Sequence, residues 1–129
     1  DRVELTSEGK YYIVDLKTGA TPISFEDAQN NKQLQSYQLA VVNDGFKNKL
    51  EHQEVAGAQL IFVGDPKGKE AKPRPQDPVD VKAVSAEISE IAIGMSDKSF
   101  VAIINDRCRS CAVKSSCPIQ PAGKSVIDL

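Results

Sequence analysis

The chain has 129 residues, of which 40% are hydrophobic and 26% charged, and its net charge is −2 at neutral pH. These values are ordinary for a globular chain and fit one domain. The slight acidic excess counts against DNA binding without excluding it, because many nucleic-acid-binding domains are strongly basic. No apolar run approaches the roughly 20 residues that cross a bilayer, so no membrane partner is predicted. Because the chain opens at Asp1 without an initiator methionine, we expect a fragment of a longer, cytoplasmic protein.

The first half of the chain predicts two strands and a long helix. The apolar runs at residues 3–6 and 11–16 indicate strands joined by a tight turn at 7–10. Residues 24–42 indicate a helix, with Ser24 as its N-cap and Gly45 just beyond its C-terminus.

The second half predicts a buried strand at residues 58–63, followed by an exposed loop at 65–79 that contains four prolines. A helix at 80–95 should bury one face, made of Val81, Val84, Ile88, Ile91 and Met95. Residues 100–104 indicate a strand or an extended packing segment. The expected fold is therefore α/β, with a small mixed sheet of strands 3–6, 11–16 and 58–63 flanked by helices.

The segment Ile13-Val14-Asp15-Leu16-Lys17-Thr18-Gly19 carries the clearest chemical signal. Asp15 and Lys17 are two positions apart at a strand end, so their side chains point to the same face of the sheet. The hairpin turn brings Asp1 back towards Asp15, and two carboxylates can bind Mg²⁺ or Mn²⁺ between them. The alternative is a solvated surface pair, which is common for a bare Asp-x-Lys tripeptide.

Two further groups of residues can contribute to a site. Gln33 and Tyr37 are four residues apart, and therefore lie on one face of the predicted helix, although a core tyrosine beside a marginal glutamine would give the same spacing. Thiolates spaced Cys-x₂-Cys-x₅-Cys favour zinc or an iron–sulfur cluster, but both need four ligands. His52 could complete a zinc site, and reduced, partly buried thiols are the other alternative. The three cysteines are Cys108, Cys111 and Cys117.

The order of these motifs resembles that of RecB-family nucleases in the PD-(D/E)xK superfamily. Asp1-Arg2-Val3-Glu4, Val14-Asp15-Leu16-Lys17-Thr18-Gly19 and Gln33-Leu34-Gln35-Ser36-Tyr37 match the motifs Asp-Arg-x-(Asp/Glu), (Val/Ile)-(Asp/Glu)-x-Lys-Thr-Gly and Gln-x-x-x-Tyr. The resemblance implies a restriction-endonuclease-like core that lacks its N-terminal part. It implies that Asp1, Asp15 and the backbone carbonyl of Leu16 bind the metal and that Lys17 is the catalytic lysine. Gln33 and Tyr37 would then contact DNA or the attacking water.

The cysteine spacing resembles that of AddB-type and related actinobacterial helicase–nucleases. In that family a fourth, upstream cysteine completes a 4Fe–4S cluster with Cys108, Cys111 and Cys117, and no such cysteine is present here. The resemblance implies a partial nuclease core at 1–104 and an iron–sulfur staple at 105–129. The expected partners are single-stranded DNA, a helicase domain of the same chain and a second helicase–nuclease subunit, in nucleoid-associated double-strand-break repair.

Two alternatives remain open for the function. One is a free-standing iron–sulfur exonuclease of the same superfamily, and the other is a non-catalytic DNA-binding or structural module with a degenerate nuclease fold. Whichever holds, we expect the isolated chain to have no cluster and little or no nuclease activity, because ligands upstream of Asp1 are absent from it.

Overall fold

The computed structural model describes residues 1–46, 53–64, 68, 70–97 and 101–120. The chain divides into two compact units, Asp1–Ala92 and Ile93–Leu129. His52 lies outside the described residues. Within the described part of the chain, no helix combines the length and apolar character that crossing a membrane requires.

A four-stranded mixed sheet organises the first unit. Its strands run in the spatial order β1-β2-β3-β4, with β1–β2 and β3–β4 antiparallel and the central β2–β3 pair parallel. The α/β class with a small mixed sheet is therefore confirmed. The strands are β1 (Arg2–Leu5), β2 (Tyr11–Lys17), β3 (Val55–Phe62) and β4 (Lys72–Gln76).

Between β2 and β3 the predicted helix begins where expected but is divided into two helices. Ser24 caps α1 (Phe25–Gln29) by accepting the Asp27 N–H at 3.0 Å. The predicted 24–42 helix then breaks, and α2 (Lys32–Val42) begins afresh with Asn31 as its N-cap, accepting the Leu34 N–H at 3.1 Å. Adjacent asparagines favour such a break, because their side chains bond to nearby backbone groups that would otherwise continue a helix.

The residue that ends α2 in the left-handed conformation also differs from the one predicted. Asp44, not Gly45, adopts the left-handed conformation, with φ of 54°. Gly45 N–H donates to the Ala40 carbonyl at 2.7 Å and Asp44 N–H to the Val41 carbonyl at 3.2 Å. This is the two-bond pattern of a Schellman motif, in which an aspartate tolerates the left-handed position.

Strand β4 was not predicted, because it lies inside the proline-rich segment assigned to a loop. Pro73 and Pro75 pair opposite Ile61 and Gln59. A proline cannot donate to a ladder, so these two residues occupy positions whose backbone nitrogens face away from β3 on the sheet edge. Alternate prolines are thus compatible with an edge strand, which the loop prediction overlooked.

Two buried glutamines hold this edge strand to the helices. The Gln76 side chain is 3% exposed, and its amide donates to the carbonyls of Ala28, Gln29 and Asn31 at 2.9, 3.0 and 3.1 Å. Gln38 is fully buried and donates to Gln76 Oε1 at 2.9 Å. Gln76 therefore adds a side-chain donor to the carbonyls at the break between α1 and α2, of which Ala28 and Asn31 also accept backbone N–H groups.

The apolar core lies between the sheet and α2. Ile13 and Leu60 of the two central strands pack with Leu34 and Val41 of α2, and all four are less than 5% exposed. Leu34, Gln38 and Val41 form the stripe predicted from the sequence, and each is buried. Since residues alternate between faces along a strand, Asp15 and Lys17 share this helix-covered face with Ile13.

The opposite face of the sheet carries Tyr12, whose hydroxyl donates to the Ala58 carbonyl at 3.1 Å. Burial raises the pKa of Tyr12, and the carboxylates of Asp77 and Glu4 raise it further. The backbone is irregular here: Gly57 has φ of 125°, and a Cβ on it would lie 2.5 Å from the Gln76 carbonyl oxygen. Only glycine fits this close approach of β3 to β4.

Helix α3 (Val81–Ser96) forms where predicted, but its predicted apolar face is only partly buried. Val84 is 7% exposed, whereas Ile91 and Met95 are 49% and 72% exposed. The helix is held near α2 by an ion pair between Lys32 and Glu87 at 2.7 Å. The expectation that Ile91 and Met95 are buried is therefore wrong in this structure.

The second unit, Ile93–Leu129, contains little regular structure in its described residues. Residues 101–105 form neither strand nor helix, so the described part of the predicted strand is extended chain only. Two short 3₁₀ turns follow, Asp106–Ser110 and Lys114–Ser116. Asn105 begins the first turn by accepting the Arg107 N–H at 3.0 Å.

Replacing Gln76 tests the glutamine network. Gln76→Ala should lower the free energy of unfolding by about 1–3 kcal/mol for each buried group left without a partner. Gln76→Glu should cost at least as much, because a carboxylate would face three carbonyl oxygens. Denaturant unfolding followed by circular dichroism measures the change. Gln59→Ala, at a half-buried glutamine on the neighbouring strand, is the control, and an equal loss in both variants would contradict this role for Gln76.

Candidate active site

The hairpin brings Asp1 beside the end of β2. Arg2 pairs with Val14, so one further step of the same register sets Asp1 opposite Asp15 on the same face of the sheet. The Asp1 side chain lies against β2, because its Oδ1 accepts the Leu16 N–H at 3.2 Å. The register therefore places the Asp1 and Asp15 side chains on one face at the same end of the sheet.

Asp15 is an almost completely buried carboxylate, with 2% of its surface exposed. Its Oδ2 lies 2.8 Å from Lys17 Nζ, so the two side chains form an ion pair. The same oxygen has no partner in hydrogen-bond geometry, which means that the contact with Lys17 is close but poorly directed. A buried carboxylate oxygen without a directed hydrogen bond is a strong attractor for a cation.

Lys17 connects the sheet to helix α2. Its Nζ donates to Gln33 Oε1 at 2.8 Å, and Gln33 Nε2 donates to the Tyr37 hydroxyl at 2.8 Å. Gln33 is exposed and Tyr37 is half-buried against the core. The contacts thus form one chain, Asp15–Lys17–Gln33–Tyr37, that joins four of the five residues predicted for catalysis. Gln29, four residues before Gln33 but on α1, accepts the Asp77 N–H just after β4 at 3.1 Å.

The carbonyl of Leu16 points towards β1 and Asp1. Lys17 O accepts the Val63 N–H at 2.9 Å and therefore faces β3, so the backbone groups of the preceding residue face the opposite edge of β2. The Leu16 N–H bond to Asp1 agrees with this direction. Asp1 and the Leu16 carbonyl accordingly lie on the same side of the strand.

A cavity of about 330 Å³ opens beside Asp1. It is lined by Asp1, Arg2, Val3, Ile13, Tyr37 and Phe46. Apolar walls with a few charged groups at the rim are typical of ligand sites.

The profile of the PD-(D/E)XK nuclease superfamily matches residues 1–118 of the 129-residue chain. The chain belongs to the PD-(D/E)XK nuclease superfamily. No curated protein matches the chain. Membership implies a nuclease that acts on DNA, and the mixed four-stranded sheet with its helices is consistent with a restriction-endonuclease-like fold.

Nucleases of this superfamily typically use divalent metals. The question is therefore whether the oxygen donors of this site suit a divalent metal ion. In residues 1–46, 53–64, 68, 70–97 and 101–120 no group of three or more His, Cys, Asp or Glu side chains is close enough to hold a metal ion. Mg²⁺, however, is commonly held by one or two carboxylates together with water and substrate phosphates. Asp1, Asp15 and the Leu16 carbonyl suit that kind of open site, and the undirected Asp15 Oδ2 is consistent with it.

The three cysteines do not assemble in the same way. Cys111 is exposed, and Cys108 and Cys117 are half-buried free thiols. Cys108 Sγ accepts the Asn105 N–H at 3.4 Å. In the part of the chain that the structure describes, these thiols do not form a metal-binding group.

Gly64 directly follows the strand predicted at 58–63, and it supports the site. A Cβ on Gly64 would lie 1.7 Å from the Thr18 carbonyl oxygen, so the chain leaving β3 packs directly on the turn that follows Lys17. A glycine that ends a buried strand signals such a close approach, but the partner is known only once the parallel pairing of β2 and β3 is known.

Gly64→Ala should therefore move the turn after Lys17. We expect overpacking to cost about 1–3 kcal/mol in unfolding free energy and to displace Lys17 from Gln33. Gly19→Ala is a matched control on the same turn, because a Cβ there meets no atom within 4 Å. Denaturant unfolding and backbone amide NMR shifts at Gln33 measure the two effects, and equal behaviour of the two variants would contradict this packing.

Proposed function

We propose that the chain hydrolyses phosphodiester bonds of DNA with Asp1, Asp15 and Lys17 at its catalytic centre. One observation carries this proposal: the buried Asp15 carboxylate lies 2.8 Å from Lys17 Nζ, at the strand end that Asp1 also reaches. A buried carboxylate paired with a partly exposed lysine at the end of a strand is the kind of arrangement found at catalytic sites. A module that had lost catalysis would need no such group of charges.

Lys17 is the residue that acts on the reacting phosphate in this proposal. An ammonium group has three donors; one is donated to Gln33, and the ion pair with Asp15 is close but undirected, so at least one donor remains. The remaining donor would stabilise negative charge on the phosphoryl oxygens in the transition state. Gln33 would fix the direction of the lysine, while Tyr37 in turn holds Gln33 through their 2.8 Å hydrogen bond.

Asp1, Asp15 and the Leu16 carbonyl would hold a Mg²⁺ or Mn²⁺ ion. When bound, such an ion acidifies water and neutralises phosphate charge. Because Asp15 is 2% exposed, its carboxylate is shielded from bulk solvent and strengthens any cation contact that it makes.

We further propose that the chain is the nuclease part of a RecB/AddB-type helicase–nuclease acting in double-strand-break repair. The ordered motifs at Asp1, Val14–Gly19 and Gln33–Tyr37 support this assignment. The partners would be single-stranded DNA delivered by a helicase motor of the same chain and a second helicase–nuclease subunit, at the nucleoid in the cytoplasm. A free-standing exonuclease of the superfamily is the second candidate, and the motifs at Asp1, Asp15 and Lys17 are equally compatible with it.

The cysteine segment is part of the same proposal. In this proposal residues 1–104 form the nuclease core, and residues 105–129 carry Cys108, Cys111 and Cys117 as three of four ligands to a 4Fe–4S cluster. The Cys-x₂-Cys-x₅-Cys spacing supports it. The free thiols do not fit a cluster as they stand, so no step of the reaction is assigned to one.

Substitutions at the ion pair test the nuclease assignment. In the longer helicase–nuclease, Asp15→Ala and Lys17→Ala should each lower DNA cleavage by at least 100-fold, on the order expected for removing a transition-state contact. ATP-driven unwinding should remain, because these residues act only at the phosphoryl centre. Asp27→Ala, at an exposed carboxylate of α1, is the control. Retained cleavage in the Asp15 and Lys17 variants would remove both residues from the site.

The isolated 129-residue chain tests the cluster assignment. Because three thiolates leave one ligand position of a cluster open, we expect a colourless protein without iron and with little nuclease activity. Absorbance near 400 nm and iron analysis measure this directly. A brown preparation with stoichiometric iron and metal-dependent DNA cleavage would show that the chain completes its own ligand set.

A further inference from the structure

A second cavity, of about 590 Å³, lies away from the carboxylates on the β4 side of the first unit. Phe25, Glu70, Lys72 and Arg74 are among the residues that line it. Phe25 is 60% exposed, so much of its surface is open to solvent. The volume is in the range of small-molecule and cofactor sites.

Arg74 stacks on Phe25 and is held there. Its guanidinium carbon lies 4.4 Å from the centre of the Phe25 ring. The Nε donates to the Ile23 carbonyl at 2.6 Å and the Nη1 to the Pro73 carbonyl at 2.8 Å. Phe25 and Arg74 therefore form a fixed pair of stacked planes, called here the Phe25–Arg74 platform, that needs no rearrangement to receive a flat ligand.

The platform lies in line with the candidate active site. Across the sheet, Asp15 pairs with Leu60 and Leu60 with Arg74, while Lys17 pairs with Phe62 and Phe62 with Lys72. Directly paired residues point to the same face, so Arg74 shares the row of Asp15 and Lys72 the row of Lys17. Two strand spacings separate the members of each row, which is about 10 Å.

We propose that the Phe25–Arg74 platform binds a nucleobase of single-stranded DNA adjacent to the phosphate that is cut. The base stacks on the exposed Phe25 ring and the Arg74 guanidinium. Because Leu60 and Phe62 between the rows are buried, the sugar-phosphate chain runs along the end of the sheet, from Lys72 towards Lys17. Aromatic stacking is how proteins hold single strands without reading their sequence. The net charge of −2 favours stacking over a general basic attraction, and Glu70 on the cavity wall disfavours a ligand made of phosphate alone.

This inference rests on the proposed nuclease function, but a binding experiment separates the two. The chain has no tryptophan, so Phe25→Trp introduces a single fluorescent reporter on the platform. The 129-residue protein is titrated with single-stranded DNA in EDTA, where binding is read without cleavage. Leu5→Trp is the matched control, since Leu5 is 59% exposed on β1 and lies at the opposite end of that strand from Asp1.

We expect single-stranded DNA to quench Phe25→Trp fluorescence and to leave Leu5→Trp unchanged. An abasic strand of equal length should quench neither, which distinguishes stacking from phosphate contact. By fluorescence anisotropy, Phe25→Leu should weaken binding roughly 5- to 150-fold, as loss of one stacked base does, and Phe25→Trp should restore it.

Two results would overturn the platform. One is single-strand binding by anisotropy with no change in Phe25→Trp emission, and the other is equal affinity of Phe25→Leu and the unaltered chain. A chain that binds no single strand at all would also overturn it. None of these results bears on the cleavage test of Asp15 and Lys17, which decides the proposed function separately.

Discussion

Burial of the Asp15 carboxylate is the constraint on which the arrangement of this site depends. A carboxylate taken out of water is unstable unless a counter-charge or hydrogen bonds compensate it, and Asp15 is 2% exposed. Lys17 is the compensating charge within its own strand, at 2.8 Å. The same ammonium group also binds Gln33, so the Asp15–Lys17 pair is linked to helix α2, which the apolar core holds on the sheet.

The network of Gln76 and Gln38 also helps to position α2. Asn31 begins α2, and its carbonyl is one of three that accept the Gln76 amide. If α2 began elsewhere, Gln33 would no longer face Lys17, since one residue turns a helix by about 100°. An edge strand of the sheet therefore helps to position the helix residues that contact the ion pair, although Gln76 itself touches none of them.

The sequence predicts the parts of this fold that local patterns determine. Alternation and apolar runs predict three strands, and Ser24 predicts where α1 begins, because the relevant interactions span few residues. Adjacent asparagines favour the break at Asn30 and Asn31, but no local pattern reveals the contact with Gln76, which is 45 residues from Asn31 in the chain. Strand β4 can form only if the backbone nitrogens of Pro73 and Pro75 face away from β3. At the site, spacing predicts that Asp15 and Lys17 share a face, but the contact of Lys17 with Gln33 requires the packing of α2 on the sheet.

Charge distribution, rather than net charge, is what connects this acidic chain with a polyanionic substrate. Lys17, Lys72 and Arg74 lie in two neighbouring rows at one end of the sheet. At physiological salt, charges more than about 8 Å apart are largely screened, so each phosphate responds mainly to the cation beside it, whether Lys17 at one end of the rows or Lys72 and Arg74 at the other. Asp15 is close enough to repel it, but this carboxylate is already neutralised by Lys17. A net charge of −2 is therefore compatible with DNA binding when the cations are local and the nearest anion is paired.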